Sequence, residues 1–351
     1  MRIAVFAERL QPPWDEGIKN TAVHIIRALR QAHEVLALTA FGKDRPELGL
    51  RNVPSNPLLC SPWPAAALGR FRPELILYVP TACATLFSFW RGRMLKLYGR
   101  GAPVVLLALQ VRRYGRLSRT LMPHLRPELV WVQAERTRAS LQALGCALQW
   151  LPPAVDCNRF APVSPERRIL LRRKYGLEPQ AFIVLHVGHL NRGRNVQALM
   201  RLAGRPNQQV VVVGSASTPH DATLVAELRQ AGVKVFANFL AEVAELYQLA
   251  DCYVFPVEGE NAAIDVPLSV LEAMACDLPV VTTPFGGLPG LFPEGPGMRY
   301  LADLASLPEL VEAVRQCPQP GNRAAVAPYA WDRVINEAVA EAWRRLRNPH
   351  A

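Results

Sequence analysis

The chain has 351 residues, half of them hydrophobic and 20% charged, which suits two domains of ordinary size and excludes a disordered or low-complexity protein. Its 40 Lys+Arg against 29 Asp+Glu leave a net charge of +11. No run reaches the ~20 uncharged apolar residues of a spanning helix, and Met1 leads straight into RIAVFA without a signal-peptide layout, so a cytoplasmic location is expected.

RIAVFA reads as the first strand, and the segment after it, ERLQPPWDEGIKNTAVHIIRAL, places Gly17 ahead of a helix expected from about Asn20 to Leu29. A glycine in such a turn lets backbone approach an anionic ligand closely, although a plain turn also uses one. HEVLALTA, LILYV, PVVLLAL and LVWVQA then alternate with helix-period segments, the pattern of βα units in a parallel sheet. From Leu75 to Pro127 there are nine basic residues and no acidic one, interleaved with Phe87, Phe89, Trp90, Tyr98 and Tyr114. Such a face suits an anionic surface, or is simply solvated. No helix-turn-helix, zinc or RNA-binding motif accompanies the charge, so nucleic acid is not the expected partner.

The stretch LPPAVDCNRFAPVSPERRILLRRKYGLEP is rich in proline and arginine and lacks a strand. It reads as a linker followed by the first helix of a second domain, with a boundary near residues 152 to 180. Charge divides there as well: residues 1 to 178 carry 27 Lys+Arg against 12 Asp+Glu, a net of +15, and residues 179 to 351 carry 13 against 17, a net of −4. The seven cysteines (60, 83, 146, 157, 252, 276 and 317) are scattered and never spaced as CxxC, which argues against a disulfide framework or a zinc site. They are expected to be small buried hydrophobes.

Beyond the linker, IVLHVG, QVVVVG, VKVFANF, CYVFPV and LPVVTT repeat the strand-helix alternation. In open α/β sheets ligands collect beyond the carboxyl ends of the strands, where helix N-termini present free N–H groups. The loop after IVLHVG holds His189, Arg192 and Arg194, and cations at a helix start conflict with its dipole. An anionic ligand would resolve the conflict; exposure to solvent would too. After CYVFPV comes EGENAAIDVPLS, then a helix expected to start near Pro267 and to end at Asp277-Leu278-Pro279. Glu272 lies early in that helix, where Leu268, Val270, Leu271 and Ala275 leave it little polar company. A carboxylate held there needs donors, which the adjacent hydroxyls of a ribose would supply, unless it caps a neighbouring loop. No strand is followed by GxGxxG, which speaks against a dinucleotide-dependent dehydrogenase.

The stretch GENAAIDVPLSVLEAMACDLPVVTTPFGGLP resembles the donor-site signature of family 4 (group 1) glycosyltransferases. Gly17, LPPAVDCNRFAP, VGHLNRGRN, YQLADCYVFP and the C-terminal YAWDRV helix match the family in order along nearly the whole chain. The resemblance implies an α/β protein of GT-B type, with two Rossmann-like, doubly wound parallel-sheet domains facing across a cleft. Residues 1–160 would form the acceptor-side domain and 161–328 the nucleotide-sugar domain, with 329–351 a helix packing back toward the first. Glu272 would hold the ribose hydroxyls, and His189 and Arg194 the donor diphosphate together with the N–H groups near Leu268 and Ser269. Gly17 would face the diphosphate from the first domain. A nucleotide-diphosphate sugar is then the donor substrate, no further cofactor or metal is expected, and the acceptor is lipid-linked or a glycan at an anionic membrane surface.

The chain also departs from the family. The first of two family glutamates falls on Ile264, with Asp265 beside it as the candidate catalytic carboxylate and Glu258 and Glu260 nearby. Gln110 stands where the family tends to have a histidine, and His189 where it usually has an arginine. These departures keep two alternatives in view: a catalytically silent GT-B homologue that binds a nucleotide sugar or glycan, and a nucleotide-sugar epimerase on the same fold.

Overall fold

The structure, a computed structural model, describes residues 1–348 apart from 82, 239 and 317–320; Cys317 lies outside the described residues. The chain divides into two compact units, one comprising Met1–Pro153 with the residues from Trp331 onward, the other Ala154–Ala330. The change of unit therefore falls before Ala154, inside the expected boundary region of residues 152 to 180 and a few residues ahead of the division drawn after residue 160. Val155 and Phe160 belong to the core of the second unit, and the Val155 amide donates to the Tyr329 carbonyl at 2.8 Å.

The first unit is built on seven parallel strands: β1 (Arg2–Leu10), β2 (Glu34–Gly42), β3 (Leu50–Asn52), β4 (Leu75–Val79), β5 (Val104–Ala108), β6 (Leu129–Val132) and β7 (Leu148–Trp150), in the order 3-2-1-4-5-6-7. Every residue of β4, β5 and β6 is buried, as expected of a sheet covered on both faces by helices. The helix after β1 runs Gly17–Arg30, three residues longer at its start than expected, because the Asn20 amide already bonds the Glu16 carbonyl at 2.8 Å. In the same unit the helix Trp331–Arg347 stacks Trp331 on His24 at 4.8 Å and accepts from Gln149 Nε2 at the Ala338 carbonyl, 3.0 Å away.

The second unit has six parallel strands: β8 (Phe182–Gly188), β9 (Gln208–Gly214), β10 (Lys234–Phe236), β11 (Cys252–Phe255), β12 (Val280–Thr282) and β13 (Met298–Tyr300), ordered 10-9-8-11-12-13. This is the doubly wound order, which reverses direction between β8 and β11. Register there is set by Cys252 against Val184 and Tyr253 against Leu185. Apolar side chains fill both faces, Leu185, Tyr253, Leu271 and Val280 in one layer and Val184, Val212, Cys252 and Val281 in the other. The short strands β3, β7 and β13 were not anticipated; each has three residues and stands at a sheet edge, too short to leave a period. Of the cysteines, Cys83, Cys146, Cys252 and Cys276 are buried as expected, but Cys60 is exposed because it lies in a surface turn held by the Asn56 side chain.

Candidate functional site

The reversal between β8 and β11 predicts where a ligand would sit in the second unit: beyond the carboxyl ends of these two strands. The sequence candidates His189, Arg194, Asp265, Leu268, Ser269 and Glu272 all lie on the segments that leave those two ends.

After β8 the chain turns through His189, whose carbonyl accepts from the Asn191 amide at 3.1 Å, into short 3-10 turns at Arg192–Arg194 and Val196–Leu202. Asn195 between them is left-handed, with φ 54°, a conformation its short polar side chain tolerates. Its amide group donates to Glu258 at 2.8 Å, tying this loop to the one after β11. Gly193 supports the same junction: a Cβ on Gly259 would stand 3.5 Å from its carbonyl. Arg192 is drawn away, its guanidinium 2.7 Å from both carboxylate oxygens of Glu227. Arg194 instead lies over the end of β8, where a Cβ on Gly188 would be 2.9 Å from its Nη1.

The same missing side chain leaves room for a buried histidine. A Cβ on Gly188 would stand 3.1 Å from His186 Nε2. His186 is fully buried; its Nδ1 bonds the Val254 carbonyl at 2.9 Å and its Nε2 has no hydrogen-bond partner. Burial first, and the nearby Arg194 charge, lower its pKa to about 4 against the pull of that carbonyl, so the ring is neutral.

After β11 the loop leads to the helix Leu268–Ala275. Pro267 is its cap, one place earlier than a first helical residue, and no side chain caps the end. The first backbone donors inside the helix that bond within it are Val270 and Leu271, to the Pro267 carbonyl, so the N–H groups of Leu268 and Ser269 belong to the open positive end. Asp265 is 4% exposed, and its carbonyl accepts from the Gly287 amide at 2.8 Å. Gly286 must be glycine: its φ is +56°, and a Cβ would lie 2.0 Å from the Asp265 carbonyl oxygen.

Glu272 is not without polar company. The buried phenol of Tyr247 donates to its Oε2 at 2.8 Å, so the carboxylate bonds a tyrosine rather than capping a loop. Desolvation raises its pKa to about 7 against the lowering effects of Tyr247 and Arg159, with Asp156 adding to the rise. Tyr253 on β11 completes the set: its hydroxyl donates to the Val187 carbonyl at 3.2 Å and pairs with the Ser269 side chain. Sequence reasoning missed Tyr247, Tyr253 and His186 because each sits inside an apolar run and looks like core packing; the polar atom each carries was the available signal.

Gly17 belongs to the first unit, as the opening residue of the helix after β1 rather than the residue before it. Near the carboxyl ends of that sheet, Gln110 accepts from Arg112 Nη2 at 3.2 Å and from the Cys83 thiol at 3.9 Å. The basic segment divides. Arg91 turns inward to Glu8 at 2.6 Å, a carboxylate that also accepts from the Tyr78 hydroxyl and from the Thr81 amide at 3.2 Å. Arg93, Arg100, Arg113, Arg116 and Arg119 are exposed, in the same segment as Phe87 (57% exposed), Leu97 (68%) and Leu117 (67%). Among the described residues no helix is long and apolar enough to cross a membrane.

Two doubly wound parallel sheets and a polar constellation at the switch point of the second define the GT-B class of glycosyltransferase folds. Solved structures share this architecture: an Anabaena protein, Alr3699/HepE, crystallised in complex with UDP, has a TM-score of 0.76 at 18% identity over 98% of this chain and all of that one. Sucrose-phosphate synthase from Thermosynechococcus elongatus has a TM-score of 0.73 at 18% identity over 99% of both chains. Residues 181–319 match the family described as glycosyl transferases group 1. Among curated relatives, a D-inositol 3-phosphate glycosyltransferase of Geodermatophilus obscurus is 32% identical over 215 residues, 54% of this chain and 46% of that protein. The sulfoquinovosyl transferase SQD2 of Arabidopsis thaliana is 25% identical over 84% of this chain and 61% of its own length. The chain thus spans about half the length of the curated relatives it matches.

Proposed function

We propose that this protein transfers a glycosyl unit from a nucleoside-diphosphate sugar to a lipid-linked or glycan acceptor, with retention at the anomeric carbon and without a metal. What supports the reading is that the segment carrying His189 and Arg194 and the one carrying the open end of the Leu268 helix and the part-buried Glu272 leave the carboxyl ends of the neighbouring strands β8 and β11. Glu272 accepts from the ribose hydroxyls. Arg194, His189 and the Leu268 and Ser269 N–H groups take the charge that grows on the leaving diphosphate, which needs preorganised donors rather than a metal. Asp265, beside the place of the first family glutamate, is the candidate carboxylate for the transferred sugar. The UDP held by the Anabaena structure, and the GDP-mannose dependence named for a Mycolicibacterium smegmatis relative, support a nucleotide-sugar donor. The exposed arginines and apolar side chains between Phe87 and Arg119 support an acceptor presented at an anionic membrane, on its cytoplasmic face.

The test is a thermal-shift screen of nucleoside diphosphates and nucleotide sugars, since a ligand of the folded state alone raises Tm by mass action. One diphosphate class is expected to stabilise the protein and to lose its effect in Glu272→Ala. Binding followed by transfer in EDTA, with the product anomer read by NMR, completes the case. Binding without transfer or donor hydrolysis would instead favour a silent homologue, the reading that Ile264 in place of a family glutamate supports.

A further inference from the structure

We infer that Tyr247 is a positioning residue of the donor site: its phenol holds one oxygen of Glu272 and leaves the other to accept ligand hydroxyls. This rests on the reading of Glu272 as the ribose acceptor.

The geometry is specific. Tyr247 comes from the helix Val243–Leu249, on a different segment from Glu272, and its ring is fully buried. Phe160 meets it edge-on at 5.4 Å and Tyr253 lies 5.7 Å away, so the ring has one place to stand and its hydroxyl one direction to point. That direction is Glu272 Oε2, 2.8 Å away. A carboxylate rotating freely about its last torsion would offer its oxygens to two adjacent hydroxyls only part of the time; one anchored oxygen removes that freedom before the ligand arrives.

The charges around Glu272 are few. Arg159 favours its ionised form and Asp156 opposes it, both from the chain entering this unit. Tyr253 on β11 and Cys276 at the end of the glutamate's own helix also sense its charge, and burial raises both their pKa values, so both stay neutral. Burial likewise raises the pKa of Tyr247 well above 10, which keeps the phenol protonated and a donor throughout the physiological range. Desolvation is the first force on Glu272 and Tyr247 the first force against it. Removing the phenol oxygen therefore leaves the carboxylate more protonated at neutral pH, and a protonated carboxyl is a poorer acceptor for two hydroxyls.

The experiment is calorimetric titration of UDP and of GDP from pH 6 to 9 on the full chain, as wild type, Tyr247→Phe and Glu272→Gln, with 2′-deoxy-UDP as the ligand lacking one hydroxyl. The Glu272→Gln profile reports the titration of the diphosphate itself. Against it, wild-type affinity is expected to rise through a midpoint near pH 7. In Tyr247→Phe that midpoint moves upward, so that affinity at pH 7 drops by about 3- to 10-fold and converges on wild type near pH 9. The deoxy ligand shows a smaller variant effect. Unchanged affinity in Glu272→Gln would overturn the donor-site reading itself. Weakened binding in Glu272→Gln with a wild-type profile in Tyr247→Phe would overturn the role of Tyr247 alone. Tyr247→Phe keeps the ring and its packing; should the fold nevertheless be lost, incorporation of 3-fluorotyrosine, a stronger donor, is expected to move the midpoint downward in wild type and not in Glu272→Gln, and no movement would equally overturn the role.

Discussion

Gly188 brings the guanidinium of Arg194 against the end of β8: a Cβ at this position would stand 2.9 Å from Nη1 of Arg194 and 3.1 Å from Nε2 of His186. Both contacts are tighter than a side-chain carbon accepts without a shift. Gly188→Ala is therefore expected to displace Arg194 from its place over the strand. A nucleoside diphosphate that depends on that charge should bind about tenfold more weakly, while the pressure on buried His186 adds a smaller loss of stability that leaves the protein folded. Calorimetric titration of UDP and GDP, with circular dichroism as the control, checks this; an unchanged dissociation constant for the one that binds would remove Arg194 from the diphosphate site.

Gly286 predicts a larger structural loss. Its positive φ and the 2.0 Å approach of a Cβ to the Asp265 carbonyl combine backbone strain with a clash against main chain that cannot rotate away. Gly286→Ala is expected to lower stability by about 2 kcal/mol or more and to shift the segment carrying Asp265. Urea denaturation measures the first effect. A variant as stable as wild type would show that the turn after β12 opens at little cost.

Two buried groups give stability opposite dependences on pH. The Glu272 pKa is raised to about 7 in the fold, so the folded state binds this proton more tightly than the unfolded chain; its contribution is full below the unfolded value of 4.5 and is lost as pH rises through 7. The His186 pKa is lowered from 6.5 to about 4, so its contribution is present above 6.5 and lost as pH falls through 4. The two partly cancel between about pH 4.5 and 6.5. Glu272→Gln should expose the histidine slope, with Tm rising from pH 4.5 to 6.5 more steeply than in wild type. Parallel Tm profiles for the two proteins would contradict the shift assigned to Glu272.

The basic segment of the first unit contains arginines of two kinds, which substitution separates. Arg91 and Glu8 have side chains only 18% and 11% exposed, so Arg91→Met leaves a buried carboxylate without its cation and is expected to cost about 3 to 5 kcal/mol in urea denaturation. Replacing exposed Arg93, Arg113, Arg116 and Arg119 by Ser should change stability little but weaken sedimentation with anionic vesicles, and should lessen its salt dependence. Vesicle binding that persists in the fourfold variant would exclude this face as the contact.

Much of this protein is determined by local sequence. The apolar runs of β1, β4, β5, β8 and β9 read as strands of sheets covered on both faces, since they are short, largely apolar and bounded by loops. The proline before the Leu268 helix marked its start in the same way, and LEAMACDLPVV pointed to the family by resemblance. What local order could not settle was which atoms face each other. Strand order alone makes β8 and β11 neighbours, and with them the loops of Arg194 and Glu272, some 78 residues apart. Tertiary packing within each unit likewise turned Arg91 inward to Glu8, left Cys60 in solvent, and set the Tyr247 hydroxyl on Glu272. A side chain's period in sequence reports the face it occupies; the partner of its polar atom depends on a second segment that periodicity does not contain.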